Sequence, residues 1–155
     1  MRTHFGAERL ISAPTQVVYH LIADYREHHR PGGFLPPEFS DQEILRGGVG
    51  AGTELHYTLT TRGRPQTISA RISEPEPGRR LVETSSGIET TFTVEALEAG
   101  TRVRFDTVLE ESGLEGLTVR LFAARLLAPI YEAELDRLEQ AAHAHPTALA
   151  AHEAA

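Results

Sequence analysis

The sequence predicts an α+β domain, a curved antiparallel sheet of about seven strands wrapped around a long C-terminal helix, with one or two short helices after the first strand. Three observations carry this. A period-two segment at the start runs directly into a short helical pattern. Six more period-two segments follow between residues 43 and 110, separated by short Gly- and Pro-bearing turns. A single stripe of apolar residues at steps of four and three then runs from Leu117 to Leu138.

In order, residues 4–12 place Phe5, Ala7 and Ile11 on alternate positions, the pattern of a strand. Pro14 suits the first helical position, where its missing N–H would be unpaired anyway, and Val17, Val18, Leu21 and Ile22 continue at helical spacing to about Asp24. Arg30-Pro31-Gly32-Gly33 stops the helix and opens an irregular loop reaching Phe39. Residues 43–46 read as a weak strand ending at the glycine run Gly47–Gly52. Strands are then expected at 53–61, 66–73, 80–85, 88–97 and 101–110. Tyr57 and Leu59 share one face of the first of these and His56 lies on the other; Phe92, Val94 and Ala96 share a face further on. Ser112-Gly113-Leu114-Glu115 is a capping box that starts the final helix, with Ala124, Ala128, Tyr131 and Leu135 on its stripe and Pro129 as an internal bend. Residues 1–142 form one domain on this reading, and the Ala- and His-rich 143–155 a frayed or disordered tail.

Composition removes several mechanisms. The chain has 155 residues and a net charge of −7, with no excess of positive charge in either half to hold a phosphate backbone or an anionic lipid surface. There is no Cys, which excludes thiolate nucleophiles, disulfides and Fe–S clusters. All fifteen basic residues are Arg, so no lysine amine is present for Schiff-base chemistry. Residues 1–12 do not read as a signal peptide and no apolar run is long enough to span a bilayer, so a cytoplasmic location without membrane insertion is expected.

The faces expected to meet between sheet and helix are thin. Tyr57, Thr61, Ala70, Thr90, Ala96 and Thr107 would face Ala124 and Ala128, and the chain has no Trp and one Met to fill the space. Small residues facing one another leave either a closer-packed core or an apolar cavity for a ligand.

The order of elements resembles the START-type helix-grip (SRPBCC) superfamily, and within it the polyketide cyclase/dehydrase and lipid-transport family. The matching residues are Ile11-Ser12-Ala13-Pro14 with Val17 or Val18, Ile22 and Asp24, the run Gly48-Val49-Gly50-Ala51-Gly52-Thr53, Glu74–Leu81, Gly100–Val103, and Leu135 to Leu138. The resemblance covers roughly residues 4–142 and implies a hydrophobic ligand held between sheet and helix. Its motifs are turns and caps, so it transfers no catalytic residues. The superfamily's Rieske branch is excluded by the lack of Cys.

The residues expected to bind that ligand are Tyr57, Leu59, Ile68, Phe92, Phe105 and Thr107 from the sheet and Phe122, Leu126 and Ile130 from the helix. Phe34, Leu35 and Phe39 in the Pro/Gly loop either gate the open end or fold back into the core. Tyr57 and Arg125 are the candidate catalytic pair, placed to orient a carbonyl or carboxylate, with Glu134 flanking the same seam; the plainer alternative is a core tyrosine and an arginine reaching solvent. The glycine run precedes a strand and carries no Lys, so it is a turn and not a phosphate loop. His20, Asp24 and His28 stand four apart, but the helix is expected to end near Tyr25, so no metal and no cofactor are called for. The expected function is binding, transport or sequestration of a small hydrophobic or amphipathic molecule. The alternatives are a polyketide cyclase/aromatase-like enzyme using the same cavity, and a protein-interaction module of the chaperone-activator type using the acidic surface around Glu132 and Asp136. The expected partner is a small hydrophobic ligand, with no nucleic acid; a homodimer is an open alternative.

Overall fold

The computed structural model describes residues 2–110 and 113–145, with side chains in the final helix from Arg125 onward. Strand β1 (Arg2–Ile11) leads into helix α1 (Thr15–Ala23). The strands β2 (Phe39–Arg46), β3 (Glu54–Thr61), β4 (Arg64–Glu76), β5 (Arg80–Ser85), β6 (Ile88–Leu97) and β7 (Gly100–Glu110) follow, and helix α2 (Gly113–Ala144) closes the chain. All seven strands form one antiparallel sheet in the order β1-β7-β6-β5-β4-β3-β2. This is the helix-grip architecture that the order of elements predicts.

The meander is built from tight turns. Arg62 and Gly63 both have positive φ (51° and 72°) between the paired Thr61 and Arg64, the two-residue turn whose twist suits a hairpin. Register shifts in β2–β3 and between Ser73 and Glu76 of β4 mark bulges, which bend a strand and increase its twist. One of them explains why β2 is longer than expected. Phe39 and Ser40 already pair with Leu59 and Thr58, but the shift between Ser40 and Glu43, with Asp41 at positive φ, interrupts the alternation.

Pro14 caps α1 instead of occupying its first turn, with an extended ψ of 142° and its carbonyl accepting from Val17 and Val18. The glycine run receives the other end of this helix. Tyr25 N–H donates to the Gly48 carbonyl and Gly50 N–H to that of Ala23, both at 2.9 Å. Gly50 has φ +67°, and a Cβ there would lie 2.2 Å from Glu74 Oε1. That carboxylate is already fixed, accepting from Ala51 N–H at 2.6 Å and Tyr19 O–H at 2.5 Å. Gly50→Ala is expected to cost about 1–3 kcal/mol in urea unfolding, from the disfavoured backbone and the displaced carboxylate.

The core sits between the sheet's concave face, α1 and the C-terminal half of α2. Ile11, Leu21, Ile22, Leu55, Leu81, Val103, Phe105, Leu135 and Leu138 are fully buried in it. Two expected inward residues are outside it. Ala96 is exposed because residues 95–99 form an exposed hairpin end. Ala128 is exposed although Tyr131, Leu135 and Leu138 are buried as expected, because one turn earlier the buried face passes through Leu127 instead. Pro129 lies inside the helix as expected. The helix continues through His143 and Ala144, two residues into the expected tail. Ser112 of the capping box lies outside the described residues, as do the side chains of Leu117, Leu121 and Ala124. Arg9 of β1 bonds Asp136 and Glu132 (2.9 Å) of α2 and lies 3.9 Å from Glu139. The acidic surface read as a docking face is thus partly engaged within the chain.

Candidate functional site

A cavity of about 80 Å³ lies between the concave face of β3–β6 and α2. That is several times the ~10–15 Å³ that one water needs. Leu55, Tyr57 and Leu59 of β3, Ile68 of β4, Ile88 and Phe92 of β6 and Leu127 of α2 form most of its apolar wall. Leu35 and Phe39 close one side, with Phe39 and Tyr57 rings 5.5 Å apart.

Of the residues expected to bind a ligand, Tyr57, Leu59, Ile68 and Phe92 line this space. Phe105 and Thr107 do not. They lie on β7, one strand beyond the wall, where Phe105 packs edge-on against Phe92 at 4.8 Å and Tyr131 at 5.9 Å. Thr107 is bonded to the Tyr131 hydroxyl at 2.6 Å and to Thr90 at 2.9 Å. Leu126 and Ile130 also miss the cavity. Each precedes a lining residue, Leu127 or Tyr131, and one residue turns a helix by about 100°. The Phe122 side chain lies outside the described residues. Among the expected gate residues, all three are buried; Leu35 and Phe39 face the cavity, while Phe34 packs on His29 at 4.6 Å as part of the core. Arg125 is exposed and Tyr57 pairs elsewhere, so no Tyr57–Arg125 pair forms.

Among the polar groups that line the cavity are two carboxyls, Glu83 and Glu134. Glu83 shares the face of Leu81 and Ser85 on β5, and accepts from Tyr25 O–H at 3.0 Å and Tyr57 O–H at 3.1 Å. Burial pushes its proton affinity up, and the two phenols oppose this by bonding the ionised form. Tyr25 and Tyr57 are in turn held well above the ordinary phenol range, first by burial and then by the Glu83 charge. Glu134 projects from α2, buried, and among the described residues its carboxyl has no hydrogen-bond donor. Burial and then the neighbouring Glu83 raise it well above the usual carboxylate range, so it is the member of the pair driven to the neutral acid. A buried neutral carboxyl such as Glu134 can donate a proton, and a carboxylate held by two phenols such as Glu83 can accept one.

His29 is buried against Tyr25, stacked at 4.2 Å, and its Nδ1–H donates to the Ile22 carbonyl at 2.7 Å. Burial lowers it to about 4, so it is neutral with the lone pair on Nε2. Glu83 was legible from its parity with Leu81, and His29 was not, because its loop has no period. His56 points away from the cavity to Glu43 at 3.2 Å, as the alternation predicts.

Residues 2–143 match the family model described as polyketide cyclase/dehydrase and lipid transport. A comparison with curated protein sequences gives no match. Among solved structures, the chain is similar to the KanY protein, with 25% identity and a TM-score of 0.79, over 92% of this chain and 99% of that one. It also resembles the Zhui aromatase/cyclase from Streptomyces sp. R1128, with 16% identity and a TM-score of 0.72 over 94% and 96% of the two chains. A START superfamily protein from Mycobacterium smegmatis shares 17% identity and a TM-score of 0.70 over 89% and 98%. With nearly its whole length matched, the chain belongs to the polyketide cyclase/dehydrase and lipid-transport family.

Proposed function

We propose that this protein binds a small amphipathic molecule in the cavity, its apolar body against Leu59, Ile68, Phe92 and Leu127 and a carbonyl or hydroxyl group at Glu134. The observation that carries this reading is the buried Glu134, without a hydrogen-bond donor among the described residues, beside the apolar side chains of the wall. A neutral carboxylic acid there offers one strong O–H donor, and a ligand carbonyl satisfies it at no cost in charge. The volume suits a small molecule, and a larger one requires Leu35 and Phe39 to move.

The test uses the neutral apolar fluorophore N-phenyl-1-naphthylamine with the full chain after delipidation. Saturable fluorescence enhancement is expected, with a rise in melting temperature by mass action. Ile68→Trp fills the cavity and is expected to abolish the enhancement without lowering the melting temperature. Equal enhancement in wild type and Ile68→Trp overturns the reading. Native mass spectrometry before delipidation identifies any co-purified ligand.

The Glu83–Glu134 pair favours a second reading, cyclase/aromatase-like catalysis. Glu83 would take a proton from the carbon beside a ligand carbonyl while Glu134 gives one to its oxygen, an enolisation in which the protons balance. On this reading Glu83→Gln and Glu134→Gln each stop deuterium exchange of a bound ketone with solvent, while the fluorophore still binds.

A further inference from the structure

We propose that His20, Asp24, His28 and His145 form a binding site for a divalent transition metal, zinc being the best match to the donor set. The spacing of four suits one helical face, but the end of α1 at Ala23 argued against it. The chain beyond it keeps turning, however. His28 and His29 N–H groups both donate to the Asp24 carbonyl, at 3.1 and 2.7 Å, which returns His28 to the face that carries His20 and Asp24. One donor atom from each of His20, Asp24 and His28 lies within 4.8 Å of the others.

The carboxylate is oriented for the task. Asp24 Oδ1 accepts from Arg26 and Glu27 N–H groups at 3.0 Å each, which fixes the side chain and leaves Oδ2 3.5 Å from His20 Nε2. A ligating carboxylate held by backbone donors has the support that metal ligands generally have. His20 and Asp24 are buried and His28 is half-buried, so an ion bound there would keep one side open to solvent. The fourth ligand comes from the far end of the chain. His145, one residue past α2, places its ring 5.0 Å from that of His28, while His20 and His28 are 6.1 Å apart.

Three imidazoles and one carboxylate are a tetrahedral N₃O set, which zinc accepts with bonds of ~2.0–2.1 Å. Donors on such a shell sit about 3.4 Å apart, so the His20, Asp24 and His28 atoms close by up to about 1.4 Å, and the His145 ring, outside that group of three, must swing further in. A bound ion would tie the 24–29 segment, which carries the cavity residues Tyr25 and His29, to the end of α2. No titrating group in the cavity takes part.

Zinc titration of the chelator-treated full chain by calorimetry tests the proposal, with the d–d spectrum of added cobalt(II) as a second readout. One zinc per chain, a tetrahedral cobalt spectrum and a zinc-dependent rise in melting temperature are expected. His28→Gln and His145→Gln, both at solvent-accessible positions and checked for an intact fold by circular dichroism, are each expected to weaken zinc about tenfold or more. The control His143→Gln should bind as wild type. Absence of stoichiometric binding, unchanged affinity in both His28→Gln and His145→Gln, or loss of binding in His143→Gln instead overturns the proposal.

Discussion

Phe105→Ala is expected to destabilise the protein by about 3–5 kcal/mol, a large fraction of the ~5–15 kcal/mol that holds a typical domain folded. Phe105 is fully buried and wedged edge-on between Phe92 and Tyr131. Its removal costs the transfer energy of the ring and leaves a void the rigid sheet cannot close. Leu59→Ala, at a half-buried wall of the cavity, should cost far less, because its side chain already faces open space on one side. Urea unfolding of both variants separates core from cavity wall. Equal losses would mean that the side chains around Leu59 pack as solidly as those around Phe105, and that there is no site to fill.

The same contrast shows what the sequence carried. Period-two alternation located β3 through β7 within a few residues, because one wet face and one dry face leave an unambiguous pattern. It also put Tyr57 and Leu59 inward and His56 outward. What alternation cannot say is which inward residues meet a cavity and which meet each other. That depends on strand order. Because β7 lies between β1 and β6, its inward side chains face the core beside the cavity, so Phe105 and Thr107 had the right parity and the wrong neighbours. A bulge defeated the period in β2, where no local signal marks the shift.

In the helix, a one-residue error in phase carried the larger penalty. The stripe was right at Tyr131, Leu135 and Leu138, and Glu134 was placed on its seam, but Ala128 and an edge at Arg125 stood where Leu127 packs, so a cation was set beside the carboxyl. Both lines have acceptable spacing, and only packing against the sheet chooses between them. The His20–Asp24–His28 spacing was visible and was set aside for a related reason. A helix-ending rule applied at Tyr25 does not foresee that the next turn keeps the same face. Long-range neighbours such as His145 have no sequence signal at all.

Glu134→Gln is expected to make the protein more stable at pH 8 and to change little near pH 4. In the folded chain, burial and Glu83 raise the Glu134 carboxyl well above its unfolded value, so the native state keeps a proton that the unfolded chain releases. Stability from this group is therefore complete below the ordinary carboxylate range and falls as pH rises through the raised value. Each unit between the two values is worth about 1.4 kcal/mol. Glutamine has the same shape and no proton to lose, which removes the slope. Part of the slope persists through Glu83, whose carboxyl is raised in the same direction. Melting temperatures of the two proteins from pH 4 to 8 should diverge; parallel curves would mean that Glu134 titrates in the fold as it does in the unfolded chain. Divergence would show that glutamate is the worse residue for stability here. An acid placed where its amide folds better is then explained by what it does to a bound molecule, not by what it does for the fold.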